Sequence, residues 1–334
     1  MTFGEYLRHE RQRQGIRQAD LAQALGVTRQ TVMAWENDVH IPSLDIAVHL
    51  ATRLRVPLER LAAPFLSNSQ GHRLLWPYPH RPSPTLPVIW ANVGATRVLV
   101  PVTLLATPRL PDAWYDVNTD TITPLPMARN PDQVILMAGC DPFMSWLQDA
   151  FHQLTHAYVL DIMAVSSTRA LTWWQDEFIH IAGTHLFDAQ SRQYNPPHLA
   201  GRRHQKIPYI TWQEGLLYHP RRQLLHQIAI REPGSEAHAL YQRQDQKPNA
   251  PTAMFPSHQA LLEAVLSHPN WGGVSLGPLA ALSGLEFTPW AEEHYELWVR
   301  EEDGHQPWLN RLQRVIQSEE LTRRLDSIPY LHRQ

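Results

Sequence analysis

Residues 16–37 read Ile-Arg-Gln-Ala-Asp-Leu-Ala-Gln-Ala-Leu-Gly-Val-Thr-Arg-Gln-Thr-Val-Met-Ala-Trp-Glu-Asn. Leu21, Ala22 and Leu25 recur at helical spacing, and Gly26 is a helix-stop residue. Thr28 heads a second run that carries Val32 and Trp35 inward, with a hydroxyl able to accept a backbone N–H two or three residues on. The pattern predicts two short helices joined by a tight turn, the shape that places a helix in a DNA major groove.

The flanks extend this helical pattern. Phe3, Tyr6 and Leu7 open an apolar stripe ahead of it. Pro42 and Ser43 start a fourth helix with Leu44, Ile46, Ala47, Leu50 and Leu54, and Pro57 starts a short fifth with Leu58 and Leu61. An all-α, five-helix head over residues 1–66 follows. Residues 67–132 read as a Pro-rich linker with a small β element: a Ser/Asn/Gln/Gly run at 67–71, then Pro77, Pro79, Pro82, Pro84 and Pro87. Strands are expected at 88–90 and 98–102 around a turn at Asn92-Val93-Gly94, and 107–132 reads as irregular.

From residue 133 strands and helices alternate. Strands are expected at 134–138, 157–162, 179–183, 207–212, 214–218, 228–231, 273–276 and 295–299, with helices after Pro142, from Arg169, and at 235–242, 257–267, 278–283 and 308–324. Such alternation argues for an α/β domain over 133–330 with a largely parallel sheet, whose ligands sit where strands give way to helices.

Composition sets outer limits. The chain has 334 residues, 43% hydrophobic, enough for real cores. No run of 18 apolar residues occurs, so no membrane span or membrane partner is expected, and the N-terminus lacks a basic-then-apolar leader. A cytoplasmic location fits this best. A single cysteine, Cys140, rules out an internal disulfide framework or a multi-cysteine metal site. Net charge is −3, and residues 1–66 carry eight arginines against seven acids, so DNA affinity must come from a local basic strip and from a homodimer.

Residues 3–61 resemble the Cro/CI-type (XRE-type) helix-turn-helix family of phage lambda repressor. Gln18, Leu21-Ala22, Gly26-Val27, Trp35-Glu36-Asn37 and Ile41-Pro42-Ser43 carry the resemblance. It implies that Thr28, Arg29, Gln30 and Thr31 form the N-terminal end of a recognition helix reading a double-stranded operator, with Gln18 and Asn37 against phosphates. The chemistry agrees: Arg pairs with guanine and Gln with adenine bidentately, while short hydroxyls suit phosphates. Arg17 departs from the family's small capping hydroxyl and offers a phosphate contact instead.

Four further segments resemble a cytoplasmic periplasmic-binding-protein-like domain (type II, two α/β lobes joined by crossing strands) related to molybdate-type binding proteins. They are Ala138-Gly139-Cys140-Asp141-Pro142, Ile181-Ala182-Gly183-Thr184-His185-Leu186, Arg231-Glu232-Pro233-Gly234-Ser235 and the run from Ala291 through Tyr295 to Leu297. The resemblance implies a small-molecule ligand between the lobes. Ser166, Ser167, Thr168, Gly234 and Ser235 stand at strand-to-helix junctions, where free amides and hydroxyls make an anion site, though a hydroxyl so placed more often caps its own helix. Thr184 and His185 end a strand, and Tyr295 belongs to the last segment. Asp141 sits uneasily with an oxyanion unless its oxygens cap the following helix. The ligand is therefore read as small and polar, with an oxyanion as one class.

His152 and His156, four apart, are read as solvated rather than as metal ligands, and no metal or cofactor is expected. No nucleophile elbow, P-loop, dinucleotide fingerprint or convincing carboxylate pair is found; Glu292-Glu293 would point opposite ways on a strand. No catalytic residues are assigned and an enzyme is not expected. The reading is a one-component DNA-binding regulator. A ligand-free interaction module or a histidine-based metal sensor in the C-terminal domain are the alternatives.

Overall fold

The computed structural model describes residues 3–37, 42–54, 56, 71–80, 83–221 and 224–334. The fifth helix expected from Pro57, the Ile41 position and the linker signal at 67–70 lie outside the described residues, as do the side chains of Phe3, Tyr6 and Leu44. The chain divides into two compact units, residues 1–72 with 95–97 and residues 73–94 with 98–334.

The first unit contains helices α1 (Phe3–Arg13), α2 (Gln18–Leu25), α3 (Arg29–Glu36) and α4 (Leu44–Arg53). Its core is Leu7, Leu21, Ala22, Val32, Trp35, Leu50, Ala51 and Leu54. Gly26 ends α2 at φ 67°, in the left-handed region that glycine adopts without strain. Gly4 sits so close to the end of α3 that a Cβ there would meet the Glu36 carbonyl oxygen at 2.6 Å. Inside this small core Arg11 Nε donates to Glu36 Oε1 at 2.5 Å. Burial alone would raise the Glu36 carboxyl, but Arg11, Gln18 and Arg8 outweigh it and hold it below its ordinary range.

The second unit opens with a five-stranded sheet in the order β1 (His72–Leu74), β3 (Thr96–Pro101), β2 (Thr85–Val93), β4 (Ala113–Asp116), β5 (Thr121–Pro124). The stretch expected to be linker is thus largely folded, and 107–132 contributes two strands. One face of the sheet, including Ile89, Ala91, Val93, Val98 and Val100, packs on Leu136, Ala138, Trp173, Trp174 and Trp298. The other face has its own cluster with Val88, Trp90, Leu99 and Tyr115.

The rest of the unit is a nine-stranded sheet built from two similar halves. In the first, β6 (Val134–Gly139) leads through helix α5 (Met144–Leu154) to β7 (Val159–Ala164), and through α6 (Ser167–Gln175) to β8 (Ile181–Thr184). β6 lies between β7 and β8, parallel to both. In the second, β12 (Gln227–Arg231), α7 (Glu236–Arg243), β13 (Thr252–Phe255), α8 (His258–Ser267) and β14 (Trp271–Leu276) repeat the plan, with β12 between and parallel to its two partners. Apolar strands such as Val-Ile-Leu-Met-Ala, flanked by helices on the way to the next strand, bury both faces in such units.

Two long antiparallel strands, β11 (His204–Tyr218) and β15 (Glu286–Arg300), join the halves. β11 pairs with β14, and β15 pairs with β8. The sheet is therefore mixed, not largely parallel. The expected strands at 207–212 and 214–218 are one strand with register shifts at Pro208/Ile210 and Glu214/Gly215. Gly215 is required at the second shift, because a Cβ would meet the Thr288 carbonyl oxygen at 2.2 Å. The helix expected over 308–324 is two, α10 (Pro307–Ile316) and α11 (Glu319–Asp326), since Ser318 caps the second by accepting the Leu321 N–H. Between β14 and β15 runs α9 (Gly277–Leu282), and β16 (Leu331–Arg333) closes on β11.

Candidate functional site

In the first unit, Thr28 Oγ1 accepts the Thr31 N–H at 3.1 Å and so caps α3. Thr28, Arg29 and Gln30 are exposed at the start of that helix and Thr31 is half-buried. These four expected readers are therefore together on one helix end, while Val32 and Trp35 anchor its inner face. The two expected phosphate contacts have internal partners. Gln18 Nε2 donates to Glu36 Oε2 at 2.9 Å, and Asn37 Oδ1 accepts from Arg8 Nη2 at 2.8 Å. Arg17 gives no side-chain cap and is held by Asp20 through two hydrogen bonds of 2.9 Å.

In the second unit, a cleft of about 930 Å³ opens between the two βαβαβ halves. Its walls come from the C-terminal ends of parallel strands. Cys140 and Asp141 follow β6, Val165 and Ser166 follow β7, Arg231 ends β12, and Pro256 and Ser257 follow β13. Thr168, Arg169, Gly234 and His258 complete much of the lining. A narrow recess off this cleft is walled by Cys140, Ser167, His185, Arg231, Ser235 and His258. This is where ligands collect in open α/β sheets, because helix N-termini present unpaired amides there.

Two of the hydroxyls expected to meet a ligand cap helices: Ser166 Oγ accepts the Arg169 N–H at 3.4 Å and Ser235 Oγ the His238 N–H at 3.2 Å. Ser257, which the sequence reading did not single out, caps likewise, its Oγ accepting the Ala260 N–H at 3.1 Å. Ser167 Oγ accepts the His185 N–H at 3.3 Å and lies 3.2 Å from Cys140 Sγ. Thr184 and Tyr295 are fully buried and form no part of the lining. Tyr295 is structural: its hydroxyl stands so close to the backbone that a Cβ on Gly139 or Gly183 would meet it at 1.9 or 2.0 Å.

Asp141 Oδ1 accepts the Phe143 N–H at 2.8 Å, while Oδ2 is buried without a hydrogen-bond partner. Burial pushes this carboxyl up to about 7, against the Phe143 amide and His185. Near neutral pH it is partly protonated, which removes much of its repulsion toward an anion. Arg231, 7% exposed, donates to both Glu232 oxygens at 3.1 and 2.9 Å and to the Pro256 carbonyl at 3.2 Å.

Behind the recess lies a buried polar chain that the sequence reading did not assemble. His185 Nε2 is 3.0 Å from Cys140 Sγ and His185 Nδ1 is 2.8 Å from Glu293 Oε2. Trp212 Nε1 donates to the same Glu293 oxygen at 3.0 Å, and the Tyr194 hydroxyl donates to the other at 3.3 Å. Burial disfavours an imidazolium, yet the Cys140 sulfur and the Glu293 carboxylate outweigh it and raise His185 well above its ordinary value. Glu214 stands beside Glu293 with both oxygens buried; burial, then the Glu293 charge, pushes it well up. Glu292 is exposed and Glu293 buried, as strand alternation requires, but the buried carboxylate pair is Glu214 with Glu293, 79 positions apart in chain. His156 lies beyond the end of α5, so it does not pair with His152, whose Nε2 accepts the Leu160 N–H at 2.9 Å. Among the described residues no group of three His, Cys, Asp or Glu can hold a metal, and no helix is long and apolar enough to cross a membrane.

A family model described as "PBP superfamily domain" matches residues 148–317, half of the chain. The chain belongs to the PBP superfamily. A helix-turn-helix model matches residues 7–61, so a helix-turn-helix DNA-binding domain precedes the PBP domain. Among solved structures, an ABC-type phosphate transport receptor from Vibrio cholerae is 10% identical, with a TM-score of 0.43 over 59% of this chain and 98% of that one. The regulatory domain of MetR, a LysR family regulator from N. meningitidis, is 12% identical at 0.44, over 60% and 98%. The P22 c2 repressor in complex with synthetic operator 9T is 28% identical at 0.18, over 18% and 92%. No curated protein matches the chain.

Proposed function

We propose that this protein is a DNA-binding regulator whose PBP domain senses a small anion, and that it does so without catalysing a reaction. The observation that carries the reading is the cleft. Its lining combines Arg169 and Arg231, the latter paired with Glu232 of the same wall, with the first turns of three helices, those capped by Ser166, Ser235 and Ser257. Partial positive charge at those helix starts favours an anion, and the capping of each by its own serine leaves the remaining first-turn amides for the ligand. Asp141, neutralised in part by burial, fits a protonated oxyanion as a hydrogen-bond donor.

The second part of the proposal is that two heads bind an operator as a homodimer, in the cytoplasm, and that cleft closure changes their spacing. Half-site spacing is geometrically strict, so small changes suffice. Arg29 and Gln30 are exposed at the capped start of α3 and are the base readers in this account. The test is operator affinity of the full chain, on DNA selected from a random pool, with and without inorganic phosphate, sulfate or molybdate. Binding of one anion is expected to change operator affinity by roughly 5–150-fold, the usual range of coupling between two sites. Equal affinity under all conditions overturns the regulatory reading.

A further inference from the structure

We propose that Cys140 is a nucleophile of the cleft wall, served by a His185–Glu293 relay, and that it captures a small α,β-unsaturated carbonyl compound covalently. Three features make the case. Cys140 is half-buried and lines both the cleft and its recess. His185 Nε2 is 3.0 Å from it, within reach of its proton, and Glu293 at 2.8 Å fixes the opposite ring nitrogen. A base oriented by a carboxylate beside a thiol is the arrangement by which folded proteins activate cysteine. Separately, Asp141 lines the same wall, and its Oδ2 is buried and without a hydrogen-bond partner. A carboxyl kept partly protonated there has a hydrogen bond to give to a ligand carbonyl.

The step balances without any further reactant. The sulfur forms a bond to the β-carbon of the ligand while its proton rests on His185 Nε2, where the sulfur and Glu293 hold it. The carbon–carbon π pair moves to an enolate whose oxygen accepts a hydrogen bond from Asp141. The proton on His185 then passes to the α-carbon, leaving a thioether and a neutral ring. Besides His185 and Asp141, the polar groups around the sulfur and its recess are the Ser166, Ser167 and Ser235 hydroxyls, Arg231, Glu236 and His258, and the buried Tyr295 hydroxyl. Trp212 and Glu293 sit opposite each other on β11 and β15, so the relay is anchored on the strands that join the two halves.

Cys140 is the sole cysteine in the chain, so labelling reports on it alone. The experiment is the second-order rate of N-ethylmaleimide addition to the folded full chain, followed by intact mass across pH 6 to 8, beside N-acetylcysteine. The folded chain is expected to react at least about tenfold faster at pH 6, with a rate that falls less than tenfold per pH unit. His185→Gln is expected to lose that advantage and to restore the steep dependence on pH, with Glu293→Gln intermediate. Should either variant fail to fold, the comparison of the unmodified chain with N-acetylcysteine decides by itself. A rate no greater than that of the free thiol, or labelling only after denaturation, overturns the inference. This outcome is independent of the anion reading, since a chain silent to anions still labels rapidly if Cys140 is activated.

Discussion

His185 Nδ1 stands 2.8 Å from Glu293 Oε2, across 108 residues of chain. The pair ties the end of β8 to the middle of β15, where the two halves of the PBP domain meet. Burial disfavours the Glu293 carboxylate, but His185, then Glu214 and Trp212, more than offset this and hold it at about 2. Its stabilising share is present above the ordinary carboxylate value near 4.5 and is lost as the pH falls toward 2. The share of His185, whose value is raised, is present below about 6.5 and is lost as the pH climbs through that raised value. Glu293→Gln is therefore expected to cost about 3–5 kcal/mol between pH 4.5 and 6.5, with the deficit shrinking at both ends. Urea unfolding of both proteins at five pH values checks this.

Asp141 predicts the opposite trend. Its folded value of about 7 exceeds that of the unfolded chain, so stability is lost as the pH rises from about 4 to 7. Asp141→Asn keeps an oxygen for the Phe143 amide and removes the burden of a buried charge. It is expected to be more stable than the parent by roughly 1–4 kcal/mol at pH 8 and indistinguishable from it at pH 3.5. Thermal melts at those two pH values measure the difference.

Gly183 faces the Tyr295 ring so closely that a Cβ would meet three of its atoms at 2.0, 2.6 and 2.8 Å. Gly183→Ala is expected to destabilise the PBP domain by about 1–3 kcal/mol through overpacking. Tyr295→Phe deletes only the hydroxyl, the nearest of the three atoms. The double variant is thus expected to recover part of the loss, a coupling that a double-mutant cycle reads directly.

In the helix-turn-helix domain, Arg29→Ala and Gln30→Ala remove exposed side chains that no core contact needs. Each is expected to weaken operator binding by about 1–3 kcal/mol and to relax preference at one base position, with thermal stability unchanged. Anisotropy titrations against single-base operator variants resolve both effects. Gln18→Ala is expected to behave differently and lower stability, because its amide serves the buried Glu36.

Local signals were the legible ones. Gly26, Thr28, Ser235 and Ser318 mark helix ends through their own backbone preferences, and three of these boundaries could be placed from neighbours alone. The break at Ser318 is hidden because the apolar spacing of Leu309, Leu312, Val315 and Leu321 runs on through it. The β-strands of 107–132 are hidden for a related reason: the prolines of that stretch suggest coil, whereas Pro124 is accommodated at the end of β5, as Pro87 is within β2. The cleft-wall motifs at Cys140–Asp141 and Arg231–Ser235 were visible as strand-to-helix junctions. What no local pattern carries is the partnership of Cys140, His185, Glu214 and Glu293. It depends on the register of β11 against β15, set by Gly215 and a bulge, and on β15 crossing back to β8.

The account rests on the cleft taking up a small anion, and calorimetric titration of the full chain with inorganic phosphate, sulfate and molybdate tests that most directly. Saturable binding of one anion per chain is predicted, accompanied by about 2.7 kcal/mol of added stability at one hundred times its dissociation constant. Arg231→Ala is predicted to abolish it. An absence of heat and of stabilisation with all three anions, or binding that survives Arg231→Ala intact, would contradict the account.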